Sequence, residues 1–403
     1  MSVATGWDSA SIGSLATTSS GTTPSRALAD RYYRGGSIPW VKTMDLANTK
    51  IFETSERVTD QAVRETSLTV YPVGTVLVAM YGGFQQIGRT GLLCVPAAVN
   101  QAITAVQADT ARLVPEYLLA TLNYRVGYWR SVASSSRKDP NITGNDVRAF
   151  PIALPPPKEQ RAIAEALSDV DALLAGLDRL IAKKRDLKHA AMQQLLTGLT
   201  RLPGHNSQWE VKTLRQIVRT PITDGPHLTP TFLDDGIPFL SVNNLVGGRI
   251  DWRDLRFISQ EDHEQFSRKC RPRKGDILIG KAASVGRVAF VDRDVEFNIW
   301  SPIAVIRVDD SHAARFVYYQ LQSADLAKQI TLLTNASSQG NIGMVDIERL
   351  KLSVPDYAEQ LAIATVLSDM DSELEALEAR HQKTRALKQA MMQELLTGRI
   401  RLI

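Results

Sequence analysis

What this chain lacks narrows what it can be. It has two cysteines, Cys94 and Cys270, and neither lies in a Cys-x-x-Cys pair. Neither a disulfide framework nor a cysteine-ligated zinc site is expected, and a reducing cytoplasm is the natural home. The 6 histidines are scattered, with no metal-ligand spacing to one another or to a cysteine. No apolar run approaches the roughly 18 residues of a membrane span. The opening stretch, residues 1–25, has no basic start or apolar centre and does not read as a secretory signal. The nucleotide loop G-x-x-x-x-G-K-[S/T], the zinc helix H-E-x-x-H and the nucleophile elbow G-x-S-x-G are all missing. Two segments come near a motif and stop short. Asp139-Pro140-Asn141-Ile142 glances at the Asp-Pro-Pro-Tyr of adenine methyltransferases but lacks the second proline and the aromatic that would stack on a flipped base. The run from Tyr81 to Gly88 has the glycines of a phosphate cradle with no helix pattern after it, and reads as a strand-connecting loop. No catalytic activity of its own is expected of the chain.

What is present is the composition of a globular protein, 44% apolar and 22% charged over 403 residues, enough for two or three domains. The net charge of +4 permits a nucleic-acid partner without requiring one.

The dominant feature is a repeat. The segment from Leu167 to Gly198 returns from Leu367 to Gly398 without a gap, and roughly half the positions of 155–202 are identical to those of 355–402. Leu167, Val170, Leu174, Leu177 and Ile181 follow the 3-4 spacing of an apolar helical stripe, as do Leu367, Met370, Leu374 and Leu377. Pro155-Pro156-Pro157 can open the first helix, and Gly198 and Gly398 stop the two. Such a rod would leave its stripe wet unless partnered. Two independent surface helices are one reading. The other is that the copies pack on each other as an antiparallel coiled coil, which keeps the two halves related by a pseudo-twofold.

The segments before the helices echo each other more faintly. Gly35–Leu46 resembles Asp235–Leu245, Pro72–Arg89 resembles Arg273–Arg287, and Ser134–Ile142 resembles Asn335–Ile342. Short β-branched runs between Gly, Pro and Asn alternate with stretches of helical spacing, so each globule is expected to be mixed α+β. The expected organisation is a first globule over 1–154, a helix over 155–202, a second globule over 203–354 and a closing helix over 355–403.

Within the globules, basic and small polar side chains recur in matching loops. Arg130, Arg137 and Lys138 flank a serine run, and Arg268, Lys269, Arg271, Arg273 and Lys274 form a second cluster. Alone, such clusters are solvated faces more often than ligand sites. Here the frame repeats while its contents change: Gln85, Gln86 and Arg89 stand where Ala283, Ser284 and Arg287 stand in the other half. These side-chain types reach phosphates and base edges, and two similar frames with different contents suit a DNA target with unlike halves.

These features together resemble the specificity subunit of Type I restriction–modification systems. The paired helix motifs carry the resemblance, with "TDGPHLTP", "GIPFLSVNNL", "KGDILIGKAASVGRVAFV" and "SSQGNIG" of the second half. The resemblance implies two target-recognition domains separated by two long helices in an antiparallel coiled coil, each domain reading one half of a split, asymmetric site in double-stranded DNA. It implies that the helices set the spacer and dock two modification subunits, which are adenine-N6 methyltransferases, and through them the helicase-nuclease restriction subunits, with Leu167, Val170, Leu174, Leu177, Ile181, Leu367, Met370, Leu374 and Leu377 the candidates for the coiled coil and for docking. S-adenosylmethionine, ATP and Mg would then serve those partners, with no cofactor, metal or membrane for this chain. The DNA-binding candidates are Gln85, Gln86, Arg89, Arg137, Lys138 and Asn141 in the first half, and His227, Asn243, Asn244, Lys281, Ser284, Arg287, Gln339 and Asn341 in the second. His227 reads equally as a base contact or as a loop residue bonded to backbone. The first half departs from the pattern: it has "SSGTTPS" (Ser19 to Ser25) where the second has Asp-Gly-Pro-His. A specificity subunit of another multi-subunit restriction enzyme and a protein-only coiled-coil scaffold remain the alternatives.

Overall fold

The computed structural model describes residues 6–133, 140–334 and 340–402. They form two compact units, one from Met1–Asp178 with Ala379–Ile403, the other from Arg179–Glu378.

The first unit is built on strands β1 (Ala16–Ser20), β2 (Thr49–Ile51), β3 (Val76–Ala79), β4 (Thr90–Leu93) and β5 (Ile103–Ala108). They make one sheet in the order β1-β5-β3-β4-β2, antiparallel except for the parallel β2–β4 pair. A second sheet carries Glu56–Val58, Ile38–Val41, Ala97–Val99 and Val70–Tyr71 in that order, and Asp8–Ser11 pairs with Pro151–Leu154.

The second unit repeats this plan with β6 (Thr223–Asp224), β7 (Ile277–Gly280), β8 (Val288–Phe290) and β9 (Ile303–Ile306) in the antiparallel order β6-β9-β7-β8. Its second sheet holds Arg256–Ile258, Ile237–Leu240 and Asn298–Ile299, and Glu210–Thr213 pairs with Lys351–Val354. Strands β3 and β7 are buried at every position, which is why they read as unbroken apolar runs. The two stretches of helical spacing each break into a pair of helices, Pro115–Tyr124 with Tyr128–Val132 and Ala314–Leu321 with Ala324–Leu333. Ser323 makes the second break by capping the new helix at the Leu326 N–H.

The repeated segments are helices Pro157–Leu195 and Tyr357–Leu396, of 39 and 40 residues. At ~1.5 Å rise per residue each is about 60 Å long. Each helix gives one part to each unit, and within each unit the two parts run antiparallel. In the first unit Lys388 meets Asp171 at 2.5 Å and His381 meets Asp178 at 3.1 Å. In the second Lys188 meets Asp371 at 2.5 Å and Lys184 meets Glu373 at 2.6 Å. Asp171–Lys388 and Asp371–Lys188 are the same pair with the two helices exchanged, so each unit uses the repeat in the same way.

The apolar stripe is covered along its length. Leu167, Leu177, Ile181, Leu367 and Leu374 are buried, and Val170, Leu174, Met370 and Leu377 are half-buried. Helix ends also enter the globular cores. Ile163, Leu167, Leu395 and Leu396 pack with Tyr117, Trp129 and Phe150 in the first unit. Ile363, Leu367, Leu195 and Leu196 pack with Phe316 and Tyr319 in the second.

A repeated Glu-Gln pair fastens each helix start. Glu159 is buried and accepts hydrogen bonds from Arg401 Nε at 2.6 Å, Arg401 Nη2 at 2.7 Å and Trp7 Nε1 at 3.3 Å. Glu359 is held in the same way by Arg201 Nε at 2.6 Å, Arg201 Nη2 at 2.5 Å and Trp209 Nε1 at 3.2 Å. Gln160 accepts from the Val114 N–H and donates to the Pro155 carbonyl, as Gln360 does with Ala313 and Pro355. A buried carboxylate and a buried amide are thus fully paired.

The Arg401 guanidinium, acting against burial, holds the Glu159 carboxyl below the usual carboxylate range. Its contribution to stability is complete above the unfolded-state value of about 4.3 and is lost as pH falls through the lowered folded value. Glu159→Gln is expected to lower the melting temperature near neutral pH and to flatten its decline on acidification. A variant whose melting temperature declines in parallel with the parent's would show that the pair contributes nothing to acid sensitivity.

Candidate nucleic-acid interface

At one end of each main sheet three loops converge. In the first unit β1 runs into Ser20-Gly21-Thr22-Thr23, β3 runs into residues 80–89, and the turn at 100–102 precedes β5. In the second, β6 runs into Asp224-Gly225-Pro226-His227, β7 runs into residues 281–287, and the turn at 300–302 precedes β9. The same backbone bonds tie both sets. Gly21 N–H donates to Ile103 O at 3.1 Å, and Gly225 N–H to Ile303 O at 3.2 Å. Met80 N–H donates to Ala102 O and Lys281 N–H to Pro302 O, both at 2.8 Å. Ile142 N–H donates to Met80 O at 3.0 Å and Ile342 N–H to Lys281 O at 2.9 Å, which puts Asn141 and Asn341 in equivalent places.

These bonds refine one expectation: within Ser19 to Ser25, it is Ser20-Gly21-Thr22-Thr23 that stands where the second half has Asp-Gly-Pro-His. Only the glycine is common to both, for a steric reason. A Cβ on Gly21 would stand 2.2 Å from the Val99 carbonyl oxygen, and one on Gly225 would stand 2.1 Å from that of Ile299.

The contents of the two frames differ in charge. In the second unit the Asp224 carboxylate is buried and accepts from Lys281 Nζ at 2.6 Å, Lys269 Nζ at 2.7 Å and Ser301 Oγ at 3.3 Å. His227 Nε2 lies 3.4 Å from the same carboxylate. Burial raises the carboxyl's pKa, but the two ammonium groups outweigh it and hold Asp224 below its ordinary value. In the first unit the equivalent positions carry Ser20, Met80, Thr23 and Gln101. The Thr23 hydroxyl bonds Gln101 Oε1, and Thr104 Oγ1 lies 2.8 Å from Met80 Sδ.

The residues singled out by sequence fall as follows. Gln85 is exposed in its loop, while Gln86 is half-buried with Nε2 3.6 Å from Met44 Sδ. Arg89 is half-buried and its Nε donates to Gln85 O at 3.1 Å. Asn141 and Ser284 are half-buried; Asn243, Arg287 and Asn341 are exposed. His227 and Lys281 meet at Asp224. Arg137, Lys138 and Gln339 lie outside the described residues.

Asn244 must be withdrawn as a DNA contact. It is buried, its Oδ1 accepts from the Ser241 N–H at 2.9 Å, and its Nδ2 donates to Asp251 O at 3.2 Å and Asp254 O at 2.9 Å. Its amide is spent on holding the turn, and Asn243 beside it is the exposed one. The basic cluster of the second half is also partly neutralised, because Arg271 pairs with Glu296 while Lys269 turns to Asp224.

Sequence reasoning missed Asp224 and Ser301, with their counterparts Ser20, Thr23, Met80 and Gln101. Asp224 adjoins the singled-out His227, but its bond to Lys281 spans 57 residues and no local pattern announces it. Chemically, the loops offer hydroxyl, amide, imidazole, ammonium and guanidinium groups, the set that contacts phosphates and base edges.

The family described as Type I restriction modification DNA specificity domain matches the chain twice, over residues 4–183 and 206–386. The Type I restriction enzyme MjaIX specificity subunit of Methanocaldococcus jannaschii is 24% identical, with 98% of this chain and 94% of that one aligned. The EcoBI specificity subunit of Escherichia coli is 23% identical over 82% of this chain and 74% of its own. The crystal structure of the Type-I restriction-modification system S subunit from M. genitalium shares the fold, with a TM-score of 0.64 at 17% identity over 98% of this chain and 96% of that one.

The two neighbouring asparagines separate structure from surface. Asn244→Ala leaves buried partners unsatisfied and is expected to destabilise the second unit by about 1–3 kcal/mol. Asn243→Ala is expected to change stability by no more than ~0.5 kcal/mol. Denaturant unfolding of both variants checks this, and equal losses would refute the assignment.

Proposed function

We propose, from the premise that this chain belongs to the family of Type I restriction–modification specificity subunits, that each unit reads one half of a split, asymmetric site in double-stranded DNA and that the chain itself performs no chemistry. The observation that carries this reading is the loop frame built twice with the same backbone bonds and different side chains. A chain that read one sequence twice would have no use for unlike contents. One that served only as a protein scaffold would have no use for matched loops rich in hydrogen-bonding groups at the same sheet ends.

The long helices take the remaining roles. Their length sets the gap between the half-sites, since helical rise converts residues into base pairs at ~1.5 Å against ~3.4 Å per step. They also dock the methyltransferase subunits, and through these the restriction subunits. Because the stripe residues chosen for docking are covered, docking falls to exposed positions such as Leu180 and Leu187, seven residues apart on helix Pro157–Leu195. S-adenosylmethionine, ATP and Mg belong to those partners in this reading.

Adenine methylation mapped across the genome of a host carrying this chain with its modification subunit, against a host lacking only this chain, tests the proposal. A new split motif of fixed spacer is the expected outcome. An assembled complex that adds no motif would favour the scaffold. Binding of the complex to its site is also expected to weaken steeply as salt rises, with a slope that shrinks when Arg287 is replaced by alanine; a salt-independent affinity would count against phosphate contacts.

A further inference from the structure

The ion pair beneath the second unit's loops is not demanded by the fold. The first unit closes the same strand ends, with the same three backbone bonds, using Ser20 and Met80 where the second has Asp224 and Lys281. Burying a charge pair gains little stability over uncharged residues of similar size, so its presence in one unit and not the other points to a role besides folding.

We propose that Asp224, Lys281 and His227 form the specificity-determining site of the second unit, and that its half-site differs from that of the first because Ser20, Met80 and Thr23 occupy the same places there. The inference rests on the DNA reading above and deepens it.

Asp224 is a positioning residue. At 1% side-chain exposure it cannot reach a base, and Lys281 at 12% is nearly as enclosed. His227, 74% exposed, and Lys269, 49% exposed, can reach one, and both are drawn to the Asp224 carboxylate. One carboxylate between two ammonium groups leaves a net positive charge at the open end. The Asp224 carboxylate also draws the imidazole, whose Nε2 lies 3.4 Å away. An ammonium donor beside an imidazole offers hydrogen bonds to the acceptors of a major-groove base edge. The first unit has no charge at these positions and presents hydroxyl and amide groups instead.

The test uses the full chain in complex with its modification subunits. Competition binding is measured against duplexes carrying a single base-pair change at each position of each half-site. The double variant Asp224→Ser with Lys281→Met gives the second unit the contents of the first. It is expected to lose about tenfold or more of its preference at one or more positions of one half-site. Preferences in the other half and non-specific affinity should stay unchanged, and Lys281→Arg should retain discrimination. Should the double variant fail to fold, His227→Ala, at an exposed position, is expected to lose preference within that same half. Preferences intact in His227→Ala, or reduced equally in both halves, overturn the site. A parent complex without any split preference overturns the DNA reading itself, whereas a parent with one that the variants leave intact overturns this site alone.

Discussion

A buried carboxylate at the start of each long helix organises everything built around it. Glu159 binds the arginine that follows the end of the C-terminal helix, and Glu359 binds the arginine that follows the end of the central one. Each bond is bidentate and each is completed by a tryptophan from the strand-forming segment beside it. A carboxylate taken out of water needs this many donors, so its presence dictates which helix end lies beside which helix start. The antiparallel pairing follows, and with it the ion pairs Asp171–Lys388 and Asp371–Lys188. Helix ends also supply leucines to the main core of each unit, so each globule is built together with its helix parts.

On that base the chain separates what must be constant from what can vary. Backbone bonds hold the loop frame, and the glycines at 21 and 225 are required by carbonyl oxygens that leave no room for a side chain. The side chains that the frame presents are under no such constraint. One unit therefore carries hydroxyl, thioether and amide groups where the other carries carboxylate, ammonium and imidazole. An arrangement in which the backbone rather than the side chains does the holding makes this variation possible, and the proposed reading of two unlike half-sites would draw on it.

Much of the architecture was legible before any coordinates. The repeat from Leu167 and Leu367, the apolar stripe and the short β-branched runs at β3 and β7 are each patterns of neighbouring residues, and the structure agrees with all of them. The candidate site was legible only in part. His227, Lys281 and Arg287 lie in conspicuous local patterns. Asn244 lies in one too, and burial gave it a different task. The sequence set Ser19 to Ser25 against Asp224-Gly225-Pro226-His227, but the residue-by-residue match needed the backbone bonds, because the only thing the two segments share is the glycine.

The sequence by itself determined the doubled plan and the two long helices, because periodicity and repetition are properties of neighbours along a chain. Only the tertiary structure decided the antiparallel partnership of the helices, the strand orders, the burial of Asn244 and the meeting of Asp224 with Lys281. Those depend on contacts between distant residues, where a side chain's role is set by which groups close around it and how much water they leave.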